Sequence, residues 1–228
     1  MTTSTAMQDL AIELPTGDAA VLMPERAMLL PGHRVLLIAD THFGKSEAMR
    51  RKGVPMPAGP RRDSFDRLRT AVDRAMPARV IVLGDLLHAP AAVTDALLDE
   101  LCRMIQQLSA PIQLVPGNHD VKRSKRPLAE LCGAAGIDVL EPCVRLGEVE
   151  LVHEAAGNSA RYAIGGHEHP AAVLRAGGDA IKLPAAVVGQ TRTVLPAFSP
   201  LAPGGRAETR TGDRLFGFTA RRVIELPG

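Results

Sequence analysis

The chain has 228 residues, 46% of them hydrophobic and 23% charged, which fits a soluble globular protein with one sizeable core. With no Trp, one Tyr and five Phe, that core must rest on Ala, Val, Leu and Ile, and modules that stack bases on surface rings are disfavoured. The net charge of +2 is close to neutral but unevenly placed: one basic run is Arg50-Arg51-Lys52, with Lys45, Arg61 and Arg62 nearby, and another is Lys122, Arg123, Lys125 and Arg126.

We expect a single domain over residues 1–228. Cys102, Cys132 and Cys143 are odd in number, far apart and without zinc or redox spacing, which predicts a reduced, cytoplasmic protein. Residues 1–9 are polar and carry no signal-peptide pattern. No run approaches the roughly 18 apolar residues that span a bilayer, so no membrane association is expected.

In chain order, residues 20–23, 27–30 and 34–40 read as strands joined by turns at Pro24-Glu25 and Pro31-Gly32. Residues 50–61, with three prolines and two glycines, read as a loop. Phe65, Leu68, Val72 and Met76 predict a helix over 64–75 with Asp63 as its cap. The same spacing predicts a helix over 93–108, and Pro127 with Gly133 and Gly136 brackets another over 127–135. From residue 137 the pattern changes to short strands, and residues 200–212 read as a mobile Gly/Pro/Arg loop. Such a chain begins as a parallel α/β unit and finishes mostly β. Two packed sheets with helices outside accommodate both halves.

Five polar clusters directly follow apolar runs. They are Asp40-Thr41-His42, Gly84-Asp85, Gly117-Asn118-His119-Asp120, His153 and Gly165-Gly166-His167-Glu168-His169. Taken singly, each has a plain structural reading: Gly-Asp marks turns, and a lone His at a strand end is more often structural. Together they deliver Asp, His and Asn, but no Cys, to strand ends. That donor set suits manganese (Mn), iron, zinc or cobalt and disfavours thiolate-selective metals. About seven ligands exceed one tetrahedral site and fit two ions sharing a carboxylate, roughly 3.5–4 Å apart. Basic runs beside these clusters point to a polyanionic substrate.

The ordered series Asp-x-His, Gly-Asp, Gly-Asn-His-Asp, His, Gly-His-x-His over residues 40–169 resembles the calcineurin-like metallophosphoesterase superfamily. The resemblance implies an α/β (α+β) four-layer fold, a two-sheet β-sandwich flanked by helices, with metals at the sheets' C-terminal edge. It assigns Asp40, His42 and His169 to one metal and Asn118, His153 and His167 to the other, with Asp85 bridging. It places His119 at the phosphate and has Asp120 orient that imidazole, with the two cations activating water and neutralising the phosphate.

Asp40-Thr41-His42-Phe43-Gly44-Lys45, Arg50-Arg51-Lys52-Gly53-Val54-Pro55, Gly84-Asp85-Leu86-Leu87-His88 and Leu195-Pro196-Ala197-Phe198 are similar to the bacterial ligase-associated DNA damage response endonucleases, the PdeM group. Phe43, Thr41 and Pro184-Ala185-Ala186 depart from the group's pattern and leave every ligand position intact. The resemblance implies a Mn-dependent phosphodiesterase acting on DNA beside a ligase and repair system, with a homodimer by analogy. A phosphodiesterase or phosphatase for a small nucleotide or other small phosphoester is the alternative, favoured by the modest net charge. A metal-bound scaffold without catalysis is disfavoured, because His119 and Asp120 are not needed merely to hold metals. His88 stands between approaching the metal site and packing beside its loop, and Lys45 between binding phosphate and capping its loop. Glu154 and Glu168 fall off the ligand positions.

Overall fold

The computed structural model describes residues 6–56, 59–155, 160–176 and 179–227. Three antiparallel strands come first: β1 (Leu10–Glu13), β2 (Ala19–Met23) and β3 (Ala27–Leu30). A 3-10 turn at Pro31–His33 joins β3 to its antiparallel neighbour β4 (Val35–Ile38). The chain then runs through α1 (Lys45–Arg51), α2 (Pro60–Ala75), β5 (Arg79–Leu83), α3 (Asp95–Ile105), β6 (Ile112–Val115), α4 (Leu128–Ala134) and β7 (Ile137–Val139). β4, β5, β6 and β7 pair in parallel, so the first sheet has the order β1-β2-β3-β4-β5-β6-β7.

The second sheet is built from β8 (Cys143–Leu146), β9 (Val149–Val152), β10 (Tyr162–Gly165), β11 (Pro170–Ala176), β12 (Asp179–Val188), β13 (Arg192–Val194), β14 (Gly205–Arg206), β15 (Arg214–Phe218) and β16 (Val223–Leu226). Its main path is β14-β11-β12-β13-β10-β9-β8, with β15 on β12 and β16 on β15. β9, β10 and β13 run parallel to one another.

All four residues of β4 are buried, because each face of the strand is covered. Val35 and Leu37 join Ile81, Leu83 and Val115 against Leu151, Ile164, Val188 and Phe216 of the second sheet. Leu36 and Ile38 join Val80, Val82 and Leu114 against Leu68 and Val72 of α2, Leu98 and Leu101 of α3, and Leu131 of α4. A strand buried on both faces reads as a continuous apolar run, which is why such runs precede the polar clusters. Each of these side chains contributes about 1.5–3 kcal/mol relative to exposure.

The two-sheet sandwich with helices on the outside is present, and the helical layer is one-sided. Among the described residues no helix follows β7.

Several local expectations change. The helix expected from residue 64 begins at Pro60, whose missing N–H costs nothing in a first turn. Gly59 therefore precedes the helix, and Asp63 lies in the first turn instead of capping it. Thr94 caps α3 by accepting the Leu97 N–H at 3.2 Å, so that helix starts after residue 93 and ends at Ile105. α1 covers residues 50 and 51 of the expected loop, while residues 57 and 58 of it lie outside the described residues. The expected loop 200–212 contains β14, held to β11 in parallel, and Lys182 Nζ donates to the Gly204 carbonyl at 2.6 Å. All three cysteines are free. No helix among the described residues is long and apolar enough to cross a membrane.

Candidate metal centre

The chain leaving β4 and the chain leaving β5 form the first wall of the site. Past the end of β4 the chain stays beside the chain leaving β5: Asp40 N–H bonds Gly84 O (3.1 Å), His42 N–H bonds Asp85 O (2.8 Å) and Phe43 N–H bonds Leu86 O (2.7 Å). The segment after β13 closes the gap between the sheets. Leu195 N–H bonds Gly165 O (2.8 Å) and Phe198 N–H bonds Ala39 O (2.8 Å).

These connections bring the side chains of Asp40, His42, Asp85, Asn118, His119, His153, His167 and His169 together. His169 Nε2 lies 3.3 Å from Asp40 Oδ1 and 3.4 Å from His42 Nε2. On the other side, His153 Nε2 lies 2.9 Å from Asn118 Oδ1, 3.0 Å from His167 Nδ1 and 3.6 Å from Asp85 Oδ1. Asp85 sits between the groups, its Oδ2 3.9 Å from both His42 Nε2 and His119 Nε2. Asp40 Oδ2 accepts the His167 N–H at 2.9 Å, and Asp85 Oδ1 accepts the His119 N–H at 2.8 Å.

The charge balance is unusual for a protein interior. Asp40 and Asp85 are 0% and 2% exposed, and Asp40 Oδ1 is buried with no hydrogen-bond partner. Buried carboxylates are normally paired or bound to metals. Burial, then the neighbouring His169, Lys45, His119 and His88, pushes His42 down to about 2, so its ring stays neutral and keeps a lone pair. Asp40-His42-His169 and Asp40-Asp85-His153 each offer three donor atoms within 4.8 Å of one another. The residues present therefore fit divalent cations.

The backbone also marks the site. Among the described residues eight non-glycine residues have positive φ, and five are Asp40 (55°), His42 (46°), Asp85 (51°), His167 (70°) and His169 (48°). This conformation costs about 1–3 kcal/mol per residue and clusters at functional sites. Close glycines make room for it. A Cβ on Gly84 would strike the His153 ring, one on Gly117 would strike Asp85, and one on Gly166 would strike Asp40.

Asp120 does not meet the imidazole it was expected to orient. Its carboxylate accepts N–H groups from Leu87 (2.8 Å), Gly117 (2.9 Å) and Leu86 (3.3 Å), stapling the loop after β6 to the loop after β5. Even with these donors, burial raises its pKa to about 6. His119 Nδ1 instead lies 2.7 Å from the carbonyl of His88 and 2.9 Å from Lys122 Nζ. The carbonyl contact is the shorter and selects Nδ1 as donor, which leaves Nε2 for the cleft.

His88 enters the site more fully than the sequence indicated. Its ring stacks on His119 with centroids 5.2 Å apart, and it forms a further possible ligand group with His42 and His119. Burial, then Lys45, His119, Lys122 and Lys52, lowers it to about 4. Lys122, three residues after His119, was legible only as one member of a basic run. Glu168 is occupied by Arg192, and Glu154 is exposed, so neither joins the cluster. The cleft bounded by His42, Lys45, Asp85, His88, Asn118, His119, His167 and His169 measures about 150 Å³.

Residues 33–154, more than half of the chain, match the family model for calcineurin-like phosphoesterases. The chain belongs to that family. Its members carry a dinuclear metal centre, and this calcineurin-like phosphoesterase is a metal-dependent hydrolase of phosphoester bonds. It is similar to the solved structure of Pseudomonas putida nuclease MPE, with a TM-score of 0.80 and 27% identity over 96% of this chain and 100% of that one. That similarity agrees with the resemblance to the ligase-associated endonuclease group. Yfce, a phosphoesterase from E. coli, matches with a TM-score of 0.43 and 12% identity over 84% of this chain and 97% of that one. A search of curated proteins finds no significant match.

Proposed function

We propose that this calcineurin-like phosphoesterase is a two-metal phosphodiesterase that cleaves DNA. One observation carries the reading: the buried Asp85 carboxylate lies between two sets of acceptors, its Oδ2 3.9 Å from His42 Nε2 and its Oδ1 3.6 Å from His153 Nε2, with His119 Nε2 also 3.9 Å from Oδ2. Asp40, His42 and His169 would hold one ion in this reading, Asn118, His153 and His167 the other, with Asp85 shared by both. The oxygen and imidazole donors favour manganese, with iron, zinc and cobalt as alternatives. Bound there, two divalent ions supply charge neutralisation at the phosphate and a lowered pKa for the attacking water.

The chain's own groups do the rest. His42 stays neutral, and the Leu83 carbonyl accepts the N–H of His153 Nδ1 at 3.1 Å, so the opposite nitrogen of His153 is free to bind a cation. His88 O holds His119 Nδ1, which aims Nε2 at the cleft. With Nδ1–H kept on that carbonyl, a second proton on Nε2 makes the ring a donor to a phosphate oxygen, and it is this proton that passes to the leaving oxygen.

The nuclease of P. putida and the motifs shared with the ligase-associated endonucleases support DNA as substrate and a bacterial repair setting in the cytoplasm beside a ligase. We carry forward one domain over the whole chain and a homodimer on the same analogy. The compact cleft favours one competing reading, a small nucleotide or other phosphoester.

A panel of bis-p-nitrophenyl phosphate, single-stranded DNA, nicked duplex, cyclic nucleotides and monoesters, assayed with Mn, tests these readings. We expect turnover of the chromogenic diester and of DNA, both abolished by EDTA. Turnover of monoesters or cyclic nucleotides alone would select the small-substrate reading, and bound metal without any turnover would defeat both.

A further inference from the structure

The two basic runs separate once their partners are known. Arg61 pairs with Glu47 and Glu100, Arg50 with Glu47, and Arg126 with Asp95 (2.9 Å). These arginines tie α1, α2 and α3 together and fasten the loop before α4. Among the described residues, Lys45, Lys52 and Lys122 have no carboxylate within 4.0 Å.

Two of these lysines sit at the metal centre on different chain segments. Lys45 follows β4 and lines the cleft with His42, His88 and His119, half buried. Taking an ammonium out of water without a counter-charge costs free energy, which an anion in the cleft would return. Lys122 follows β6, and its Nζ lies 2.9 Å from His119 Nδ1. That nitrogen already donates to the His88 carbonyl, so it offers the ammonium no lone pair. The charges of Lys45 and Lys122 also lower the pKa of His88, which stacks on His119.

We propose that Lys45 and Lys122 form a subsite for the phosphate next to the one being hydrolysed. The inference rests on the phosphodiesterase reading and deepens it. An isolated diester presents one phosphate, which bound metals and His119 would already serve. Unpaired cations beyond the ligand set are surplus to that substrate and match a second phosphate on the same strand. The centre therefore selects a polynucleotide over an isolated ester, and lysine suits this role as a mobile point charge that follows a flexible backbone.

The test compares kcat/KM for bis-p-nitrophenyl phosphate and for a single-stranded 12-mer, with Mn, in the wild type, Lys45→Met, Lys122→Met and the double variant. Methionine keeps the apolar stem, and thermal melting checks folding. The double variant is expected to lose at least about tenfold more on the 12-mer than on the ester, since close charged contacts are each worth a factor of this order. In a His119→Ala background, which spares the strand, the log–log salt slope of 12-mer binding should fall by about 0.7 per lysine removed. Equal losses on both substrates would overturn the subsite, as would unchanged kinetics with an unchanged salt slope. A wild type that turns over the ester while the variants keep its substrate ratio defeats the subsite alone. A wild type that turns over neither substrate defeats the phosphodiesterase reading, and the subsite with it.

Discussion

His153 Nδ1 lies 3.1 Å from the carbonyl oxygen of Leu83, on the far sheet of the sandwich. This one bond ties β9 to the end of β5 and fixes the imidazole tautomer, since the carbonyl accepts only from a protonated Nδ1. The opposite nitrogen then faces Asn118 Oδ1 at 2.9 Å and Asp85 Oδ1 at 3.6 Å, acceptors like itself. A cation among them turns mutual repulsion into coordination.

Gly84→Ala tests how much depends on that ring position. The new Cβ would collide with the His153 imidazole, and Gly84 has φ +78, a region alanine enters only with strain. We expect a loss of about 2–4 kcal/mol and fewer than two metals per chain. Urea unfolding and elemental analysis measure the two effects. A variant with wild-type stability and full metal content would show that the ring can move freely.

Asp120→Ala separates a structural staple from a group acting on His119. Removing the carboxylate leaves the buried N–H groups of Gly117, Leu86 and Leu87 without their acceptor. Unmet buried donors cost about 1–3 kcal/mol each, and sharing one acceptor keeps the total below their sum. The expected signature is a drop of roughly 3 kcal/mol in stability, with a smaller rate loss than His119→Ala at a temperature where both are folded. Wild-type stability with the rate loss of His119→Ala would restore the expected contact with the imidazole.

The ligand clusters were legible because each ends a largely apolar strand, buried on both faces in β4 and β10 and on one face in β9, and a polar residue after such a run stands out. The helices α2, α3 and α4 were legible from apolar spacing and caps. α1 was not: it is seven residues long and mostly charged, too short for periodicity to register. Asp120 was misassigned because adjacency to His119 in sequence says nothing about where a carboxylate points after a tight turn. Positive φ at Asp40, His42, Asp85, His167 and His169 leaves no compositional trace either, since none of them is glycine.

His88→Ala distinguishes a ligand from a neighbour. The side chain stacks on His119 at 5.2 Å, while the group that holds His119 Nδ1 is the His88 main-chain carbonyl, which alanine keeps. The loss is then that of a ring contact, about 0.5–1.5 kcal/mol, or roughly two- to tenfold in kcat. Metal content should stay at that of the wild type. Loss of one metal per chain would instead make His88 a ligand.

Metal removal links the site to the stability of the whole sandwich. Loops from both sheets converge on Asp40 and Asp85, so ions bound there hold the folded state and not the unfolded one. At a free Mn concentration about 100 times the dissociation constant, the gain is about 2.7 kcal/mol per site. Protons oppose it, because imidazole must be neutral to coordinate and metal affinity falls as pH falls. The same direction holds without metal. His42 is held down to about 2 and His88 to about 4, so the unfolded chain takes up protons on both below the usual histidine range while the native state resists them. Native stability contributed by these rings is therefore full above about pH 6.5 and is lost as pH falls from there towards their folded values. Melting curves with Mn and with EDTA, from about pH 8 down to about pH 5, should both decline and should converge at the acid end. A gap that widens in acid would mean that the stabilising metal is not held by these imidazoles.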